Sequence, residues 1–447
     1  MRHGIYWRDT EAVVPGPPLR QDVACDVAVI GAGYTGLWTA HFLKQADPGL
    51  SVHLLEMDYA GAGASGHNDG FVTPTIGHSL HGVVRRWGPE RAAEAYAAVG
   101  RSIMEIGRFC DKNAVDAELE RTGFHMVATS PWQVRRLEHD RALAALVGTR
   151  SLPEIARGAD ARDVIGSPAI LAAMPSGGAL INPHRLARGL ARVVTEQGAV
   201  IHERTRAHQI YQDGGRYRIR TDHATVSADK VLVATDAYQH TFPMFRRASL
   251  PIWSYALVTE PLTDAQLARV HWPRREGFVE SRNFIVFGRL TADNRILFGG
   301  GPAPYRPGRD MDESRWIHDR DVERFLLDAF HRYFPVWTDV RVSHSYGGCI
   351  GVTRDLVPHV GRHRTGLYYA HGYCGNGIAT THTASKALRD LILDRDTPYA
   401  RLPFVASGPH REAAFPVEPV TRVGAKALSA VLALQDRRPD LLRRTIV

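Results

Sequence analysis

The stretch that most constrains this chain is its first apolar run together with the glycine-rich turn after it. Asp26-Val-Ala-Val-Ile30 is short and apolar enough for a buried parallel strand. Gly31-Ala-Gly-Tyr-Thr-Gly36 comes next. A helical stretch then places Leu37, Ala40, Leu43 and Ala46 on one face, and Pro48-Gly49 closes it. Ser51-Val-His-Leu-Leu-Glu56 reads as a second strand, completing a strand–helix–strand unit of about thirty residues. That context gives the glycine spacing its meaning. Gly31 permits a tight turn, Gly33 lets backbone approach a pyrophosphate, and Gly36 lets the helix pack closely on the sheet. Tyr34 and Thr35 open the helix, where unsatisfied N–H groups and a partial positive charge suit phosphates. Glu56 offers a carboxylate to ribose hydroxyls and repels a 2′-phosphate.

FAD, NAD and other adenine dinucleotides share this fingerprint, and the next segment separates them. Gly61-Ala-Gly-Ala-Ser-Gly-His-Asn-Asp-Gly70 follows within fifteen residues of Glu56. Its small residues let the chain pass close to a bulky group, which a plain NAD dehydrogenase does not need at this place. Ser65, Gly66, His67, Asn68 and Gly70 therefore join the candidate FAD contacts. Further along, 89–111, 133–148 and 183–198 read as helices, 230–237 and 366–371 as buried strands, and 250–300 as strand-rich. A glycine-rich loop at 372–377 precedes a helix from about 378 to 393.

The expected fold is α/β, a Rossmann-like FAD-binding domain interleaved with a mixed-sheet α+β substrate domain. Residues 22–85, 180–245 and 345–395 are assigned to the first. Residues 86–179 and 246–344 go to the second, and 396–447 form a C-terminal tail with a helix near 424–435. Residues 1–24 read as an irregular arm.

Composition narrows the setting. An apolar fraction of 44% and a charged fraction of 23% are ordinary for a soluble globular protein. No run reaches the roughly 18 apolar residues of a membrane span, and the N-terminus lacks an apolar leader core, so a cytoplasmic location is expected. Cys25, Cys110, Cys349 and Cys374 are widely spaced and suggest neither a disulfide framework nor a zinc site. His359, His363, His371 and His382 match no compact zinc spacing, and no metal is expected. The formal charge of +8 comes without a basic repeat or zinc finger. Nucleic acid is therefore excluded, leaving scattered arginines, an anionic substrate or an anionic surface. Arg437-Arg-Pro-Asp-Leu-Leu-Arg-Arg444 gives the tail a basic end.

Four blocks resemble the D-amino-acid-oxidase-like superfamily of FAD enzymes, on the branch of gamma-glutamylputrescine-oxidase-like amine and amino-acid oxidases. They are Tyr6-Trp7, the fingerprint with Glu56 and the Gly63–Gly70 loop, Val231-Leu-Val-Ala-Thr-Asp-Ala-Tyr238, and Tyr346–Pro358 followed by Tyr368–Gly377. The resemblance implies that Gly372, Gly375, Asn376, Gly377 and Ile378 contact the flavin, their N–H groups meeting its carbonyl edge. It implies hydride removal from a small-molecule amine carrying an acidic group, hydrolysis of the imine, and reoxidation by dioxygen to hydrogen peroxide. It also places Tyr255 and Arg289 towards the substrate, the arginine suited to an acidic group.

The departures lie in one loop and one strand. Many relatives read Arg-Asn-Gly-Gly where this chain has His67-Asn-Asp-Gly70. His67 also resembles a 2-hydroxyglutarate-oxidising branch, and in dimethylglycine and sarcosine dehydrogenases a similarly placed histidine bonds the flavin. It is an active-site side chain, a covalent anchor or a polar residue packed near the ring. Cys349 stands one residue out of register with the flavin-linking cysteine of sarcosine oxidases, so a non-covalent flavin and a small buried apolar role for Cys349 are expected. Asp355 reads as a turn residue. The alternatives are a 2-hydroxy-acid oxidoreductase and a non-catalytic flavoprotein.

Overall fold

The computed structural model describes residues 1–77, 79–147, 153–406 and 414–437. Two large sheets organise them. The first is built on parallel strands, with Val23–Ile30 central between Thr225–Val233 and Val52–Leu55. Leu367–His371 and Val200–His202 extend it on either side, and Gln209–Asp213 with Arg216–Arg220 form an antiparallel wing on Thr225–Val233.

Alternation along the central strands explains why their sequences are apolar throughout. Val27, Val29, Leu54, Leu232 and Tyr368 face one cluster, with Leu37, Trp38 and Leu43 of the Tyr34–Ala46 helix and Ala384 and Leu388 of the Gly377–Ile392 helix. Ala28, Ile30, Val231, Val233 and Tyr369 face the other, with Phe242 and Phe245. Both faces are covered, as a parallel sheet requires. Ligands of such sheets collect at the carboxyl ends of the strands.

The second sheet is mixed. Val342–Val352 runs antiparallel to Leu250–Thr259, with Ser254 opposite Gly348 and Ala256 opposite Tyr346. Ile296–Gly300, Val286–Leu290, Gly277–Glu280, Phe124–Ala128 and Ala172–Ser176 continue it. Its two faces have different neighbours. Trp253, Leu257, Phe278 and Phe298 pack against Leu326, Phe330 and Tyr333 of the Arg320–Tyr333 helix. The opposite face, carrying Ala256, Phe287 and Tyr346, turns towards the first sheet's side of the molecule and bounds the site.

Several expectations need correction. The Val342–Val352 strand belongs to the second sheet because it pairs along its length with Leu250–Thr259, so 345–352 is not part of the nucleotide fold. The Leu80–Lys112 helix, bent at Gly88 before Pro89, starts nine residues earlier than read from the sequence. Its Ala92, Ala95, Val99 and Ile106 pack in the cluster of the nucleotide-binding helices, not in the substrate domain. The arm is irregular only from 10 to 22: before that, Arg2–His3 pairs parallel with His344 and Ser345, and Tyr6 and Trp7 are buried beside Ala256, Phe287 and Tyr346. The tail helix spans Val420–Arg437, and the rest of the basic end lies outside the described residues. Among the described residues no helix is long and apolar enough to cross a membrane.

Candidate functional site

The first strand leaves its sheet at Gly31, whose φ of +101° favours glycine, and a Cβ there would sit 2.8 Å from the Ala234 carbonyl oxygen. Gly36 is tighter still: a Cβ would stand 2.0 Å from the Gly31 oxygen, so only glycine lets this helix meet its strand. The Ser65 hydroxyl accepts the Tyr34 N–H at 2.8 Å and lies over Gly33. Side chains of the turn are committed to structure. The Tyr34 hydroxyl donates to the Pro183 carbonyl at 2.7 Å, and Thr35 Oγ1 lies 2.8 Å from the Tyr373 hydroxyl. Only the backbone of Tyr34 and Thr35 is thus left to meet a nucleotide. Glu56 ends the second strand, accepting the Ala32 N–H at 2.8 Å and the Asp58 N–H at 3.1 Å. Burial pushes its carboxyl up to about 7 against the pull of those two N–H groups.

Next to this turn, Ala64–His67 is a single helical turn. Asn68 fixes its exit: Nδ2 donates to the carbonyls of Ala64 and Ser65 at 3.0 and 2.8 Å, and Oδ1 accepts the Gly70 N–H at 2.9 Å. Gly66 is buried with the turn. His67 is buried with Nε2 lacking a hydrogen-bond partner, and burial, with Arg8 and His184 nearby, holds it far below the usual histidine range and therefore neutral. Across from it lies Gly348, where an added Cβ would be 3.8 Å from the His67 Cβ.

The glycine loop after Leu367–His371 closes the third side. Gly372 and Gly375 have φ of +79° and +86°. The Gly372 N–H donates to Asp236 Oδ1 at 2.8 Å, and the Gly351 N–H to Asp236 Oδ2 at 3.0 Å. One carboxylate thereby ties this loop to the second sheet. Asn376 donates to the Gly77 carbonyl at 2.7 Å and accepts from Thr73 Oγ1 at 3.2 Å. Gly377 and Ile378 open the 16-residue Gly377–Ile392 helix, which has no side-chain cap. Its first N–H groups form a positive terminus beside the cavity.

These three pieces line one cavity of about 2660 Å³, running from Gly33–Thr35 past Ser65–Asp69 and Gly375–Ile378 to the face of the second sheet. That exceeds the roughly 300–1,000 Å³ of a drug-sized pocket and suits an extended dinucleotide with a substrate beyond it. The glycine-lined turn, the acid after the second strand and the helix terminus at 377 fit the pyrophosphate, ribose and flavin carbonyl edge of FAD.

Comparison with known proteins decides the family. The family model described as DAO, FAD dependent oxidoreductase, matches residues 26–391. The chain belongs to the DAO family of FAD-dependent oxidoreductases. It is an enzyme of the amine and amino-acid oxidase type, and FAD is its cofactor. It is 30% identical over 407 residues to gamma-glutamylputrescine oxidoreductase of Escherichia coli (strain K12), covering 89% of this chain and 91% of that one. Among solved structures it is similar to glycine oxidase from Geobacillus kaustophilus, with a TM-score of 0.72 and 19% identity, covering 88% of this chain and 100% of that one. It is also similar to FAD-bound L-alpha-glycerophosphate oxidase from Mycoplasma pneumoniae, with a TM-score of 0.68 and 16% identity, covering 87% and 100%. The two structures show the fold alone.

Within this DAO-family site, two of the three expected catalytic side chains carry structural hydrogen bonds. Strand alternation puts Tyr255 with Trp253 and Leu257, on the face away from Ser254 and Tyr346, although the residue still borders the cavity beside Arg306. Its hydroxyl donates to the Trp316 carbonyl at 2.9 Å and accepts from Arg306 Nη2 at 2.8 Å. Arg289 shares the site face of its strand with Phe287 but is walled off from the cavity, 1% exposed. Its Nη1 donates to the carbonyls of Ile181 and Gly70 at 2.8 and 3.2 Å, and its guanidinium lies 5.9 Å from the Trp7 ring. Burial pushes it down to about 10. It braces the Asn68–Gly70 turn. Cys349 pairs with Trp253 and packs in the cluster of the second sheet's other face, and both it and Gly348, one residue earlier, border the cavity. Asp236 was missed as a site residue. Its signal was its place after the carboxyl end of the Thr225–Val233 strand, in Val233-Ala-Thr-Asp236.

Proposed function

We propose that the protein is an FAD-dependent oxidase that breaks a C–N bond in an amine or amino acid carrying an acidic group. One observation carries the reading: the cavity is apolar at its wall and cationic at its rim. Phe124, Met126, Ala256, Val279 and Phe287 line the sheet face, while the exposed Arg135, Arg354, Arg422 and Lys426 line the outer part. An ammonium is a poor hydride donor, and an apolar wall disfavours the charged form. The basic rim suits an anionic group on the same molecule and draws it to the mouth. The 30% identity to gamma-glutamylputrescine oxidoreductase supports the amine class.

Bound FAD supplies the acceptor for a hydride from the carbon next to nitrogen. Water then hydrolyses the imine to a carbonyl compound and an amine or ammonia, and dioxygen takes the electrons as hydrogen peroxide. The helix N-terminus at Gly377, with the N–H groups of Gly377 and Ile378, would stabilise negative charge at the flavin carbonyl edge.

A second reading rests on His67, whose neutral, unpartnered Nε2 at the cavity is what a hydroxy acid needs to lose its proton. Anaerobic stopped-flow mixing separates the two. Amines bearing a carboxylate should bleach the flavin, with a rate rising with pH to an apparent pKa below the value of about 10 for a free alkylamine. Bleaching by 2-hydroxy acids with amines inert would refute the amine reading and establish the second.

A further inference from the structure

We propose that Asp69 is the counter-ion and proton acceptor for the substrate's ammonium group, an inference that rests on the amine reading. Asp69 comes directly after the His67–Asn68 turn and lines the cavity. Among the described residues it makes no hydrogen bond or ion pair. The other acids at the cavity are provided for. Asp236 holds two backbone N–H groups. Glu280 is bonded by Thr129 and Gln133 and paired with Arg282 and Arg332. Asp140 has Arg136, His81 and His139 around it.

The groups facing Asp69 leave it short of a cation. Arg289, from the Val286–Leu290 strand, acts on it electrostatically, but its Nη1 is committed to the carbonyls of Gly70 and Ile181. Tyr346, from the Val342–Val352 strand, is buried next to the Trp7 indole, and burial and Asp69 keep its hydroxyl protonated. His67, from Asp69's own turn, is neutral, and Tyr6 of the arm lies behind Arg289 and Tyr346. Asp69 thus stands at the cavity without a hydrogen-bond donor among the described residues, with the Tyr346 hydroxyl as its polar neighbour.

A carboxylate among such groups attracts an ammonium and orients its carbon. The chemistry is a single proton transfer. The ammonium nitrogen gives one proton to an Asp69 oxygen, an N–H bond breaks, an O–H bond forms, and two neutral groups result. Burial favours this direction because it raises a carboxyl and lowers an ammonium. It has already pushed Asp69 up to about 7. The amine left behind has the lone pair from which hydride loss proceeds.

The test uses the FAD-loaded enzyme and n-butylamine, with n-butanol as the uncharged control, followed through the flavin absorbance and by calorimetry. The wild-type complex shares one proton between Asp69 and nitrogen. Its affinity should therefore be flat between about pH 7, where Asp69 ionises, and about 10, where the free amine does. Asp69→Asn should bind n-butylamine about ten- to hundredfold more weakly at pH 7, the range of one charge-assisted hydrogen bond. Its affinity should then rise about tenfold per pH unit towards 10, because only the neutral amine is taken. Asp69→Glu should restore the flat profile, and n-butanol binding should be equal in all three. A flat profile in Asp69→Asn, an equal loss for n-butanol, or no binding of n-butylamine to the wild type overturns the proposal. If carboxylate-bearing amines still bleach the wild-type flavin, only the role of Asp69 falls. If no amine does, the functional reading falls with it.

Discussion

Gly348→Ala separates the fold from the cofactor, because the two should respond with opposite signs. Gly348 lies mid-strand opposite Ser254, on the face that lines the cavity. A Cβ there would meet nothing closer than the His67 Cβ at 3.8 Å and its carbonyl oxygen at 4.0 Å, ordinary contacts that require no movement. The protein itself therefore has room for the methyl. Replacing glycine within a strand should stabilise the flavin-free protein by roughly 0.5–1 kcal/mol, through the unfolded chain's smaller freedom. The methyl nevertheless enters the space between His67 and the glycine loop that FAD is read to fill. Overpacking by one methyl costs about 1–3 kcal/mol, which corresponds to FAD binding weakened about 5- to 150-fold. Flavin-free protein titrated with FAD by fluorescence quenching gives the second number, and its unfolding in urea gives the first. An unchanged FAD affinity with an intact fold would refute the placement of the flavin against the Val342–Val352 strand.

Two further substitutions test residues that brace the site. Asp236→Asn keeps the shape but can accept from only one of the Gly372 and Gly351 N–H groups, leaving the other buried donor unsatisfied at a cost of about 1–3 kcal/mol. Faster hydrogen exchange at Gly372 and partial loss of FAD on gel filtration should result, and wild-type protection there would remove Asp236 from this role. Arg289→Met should lower the thermal midpoint by leaving the Gly70 and Ile181 carbonyls without their donor, while the KM for a carboxylate-bearing amine stays within about twofold. A large rise in KM with unchanged stability would return Arg289 to the substrate.

The adenine-binding half of the site was legible in the sequence because its chemistry is local. Gly31, Gly33 and Gly36 act within one strand–turn–helix, and Glu56 is fixed by the next strand, so spacing along the chain is spacing in space. The glycine loop from Gly372 to Ile378 was equally readable from a resemblance confined to one segment. What only the tertiary structure decided lies on the second sheet. A one-residue change of position along a strand reverses the face a side chain meets. Pairing of Tyr255 with Gly347, and of Gly348 with Ser254, packs the tyrosine and Cys349 into the cluster of the sheet's other face and sets the glycine opposite His67. Arg289 has the right face, yet the buried Trp7 and the Gly70 carbonyl, from arm and turn more than two hundred residues away in sequence, cover it. Asp236 takes its meaning from N–H donors 115 and 136 residues away, and Asp69 from having none among the described residues. Whether a carboxylate in an apolar setting braces a loop or awaits a ligand depends on the donors the fold brings to it, and those donors come from other parts of the chain.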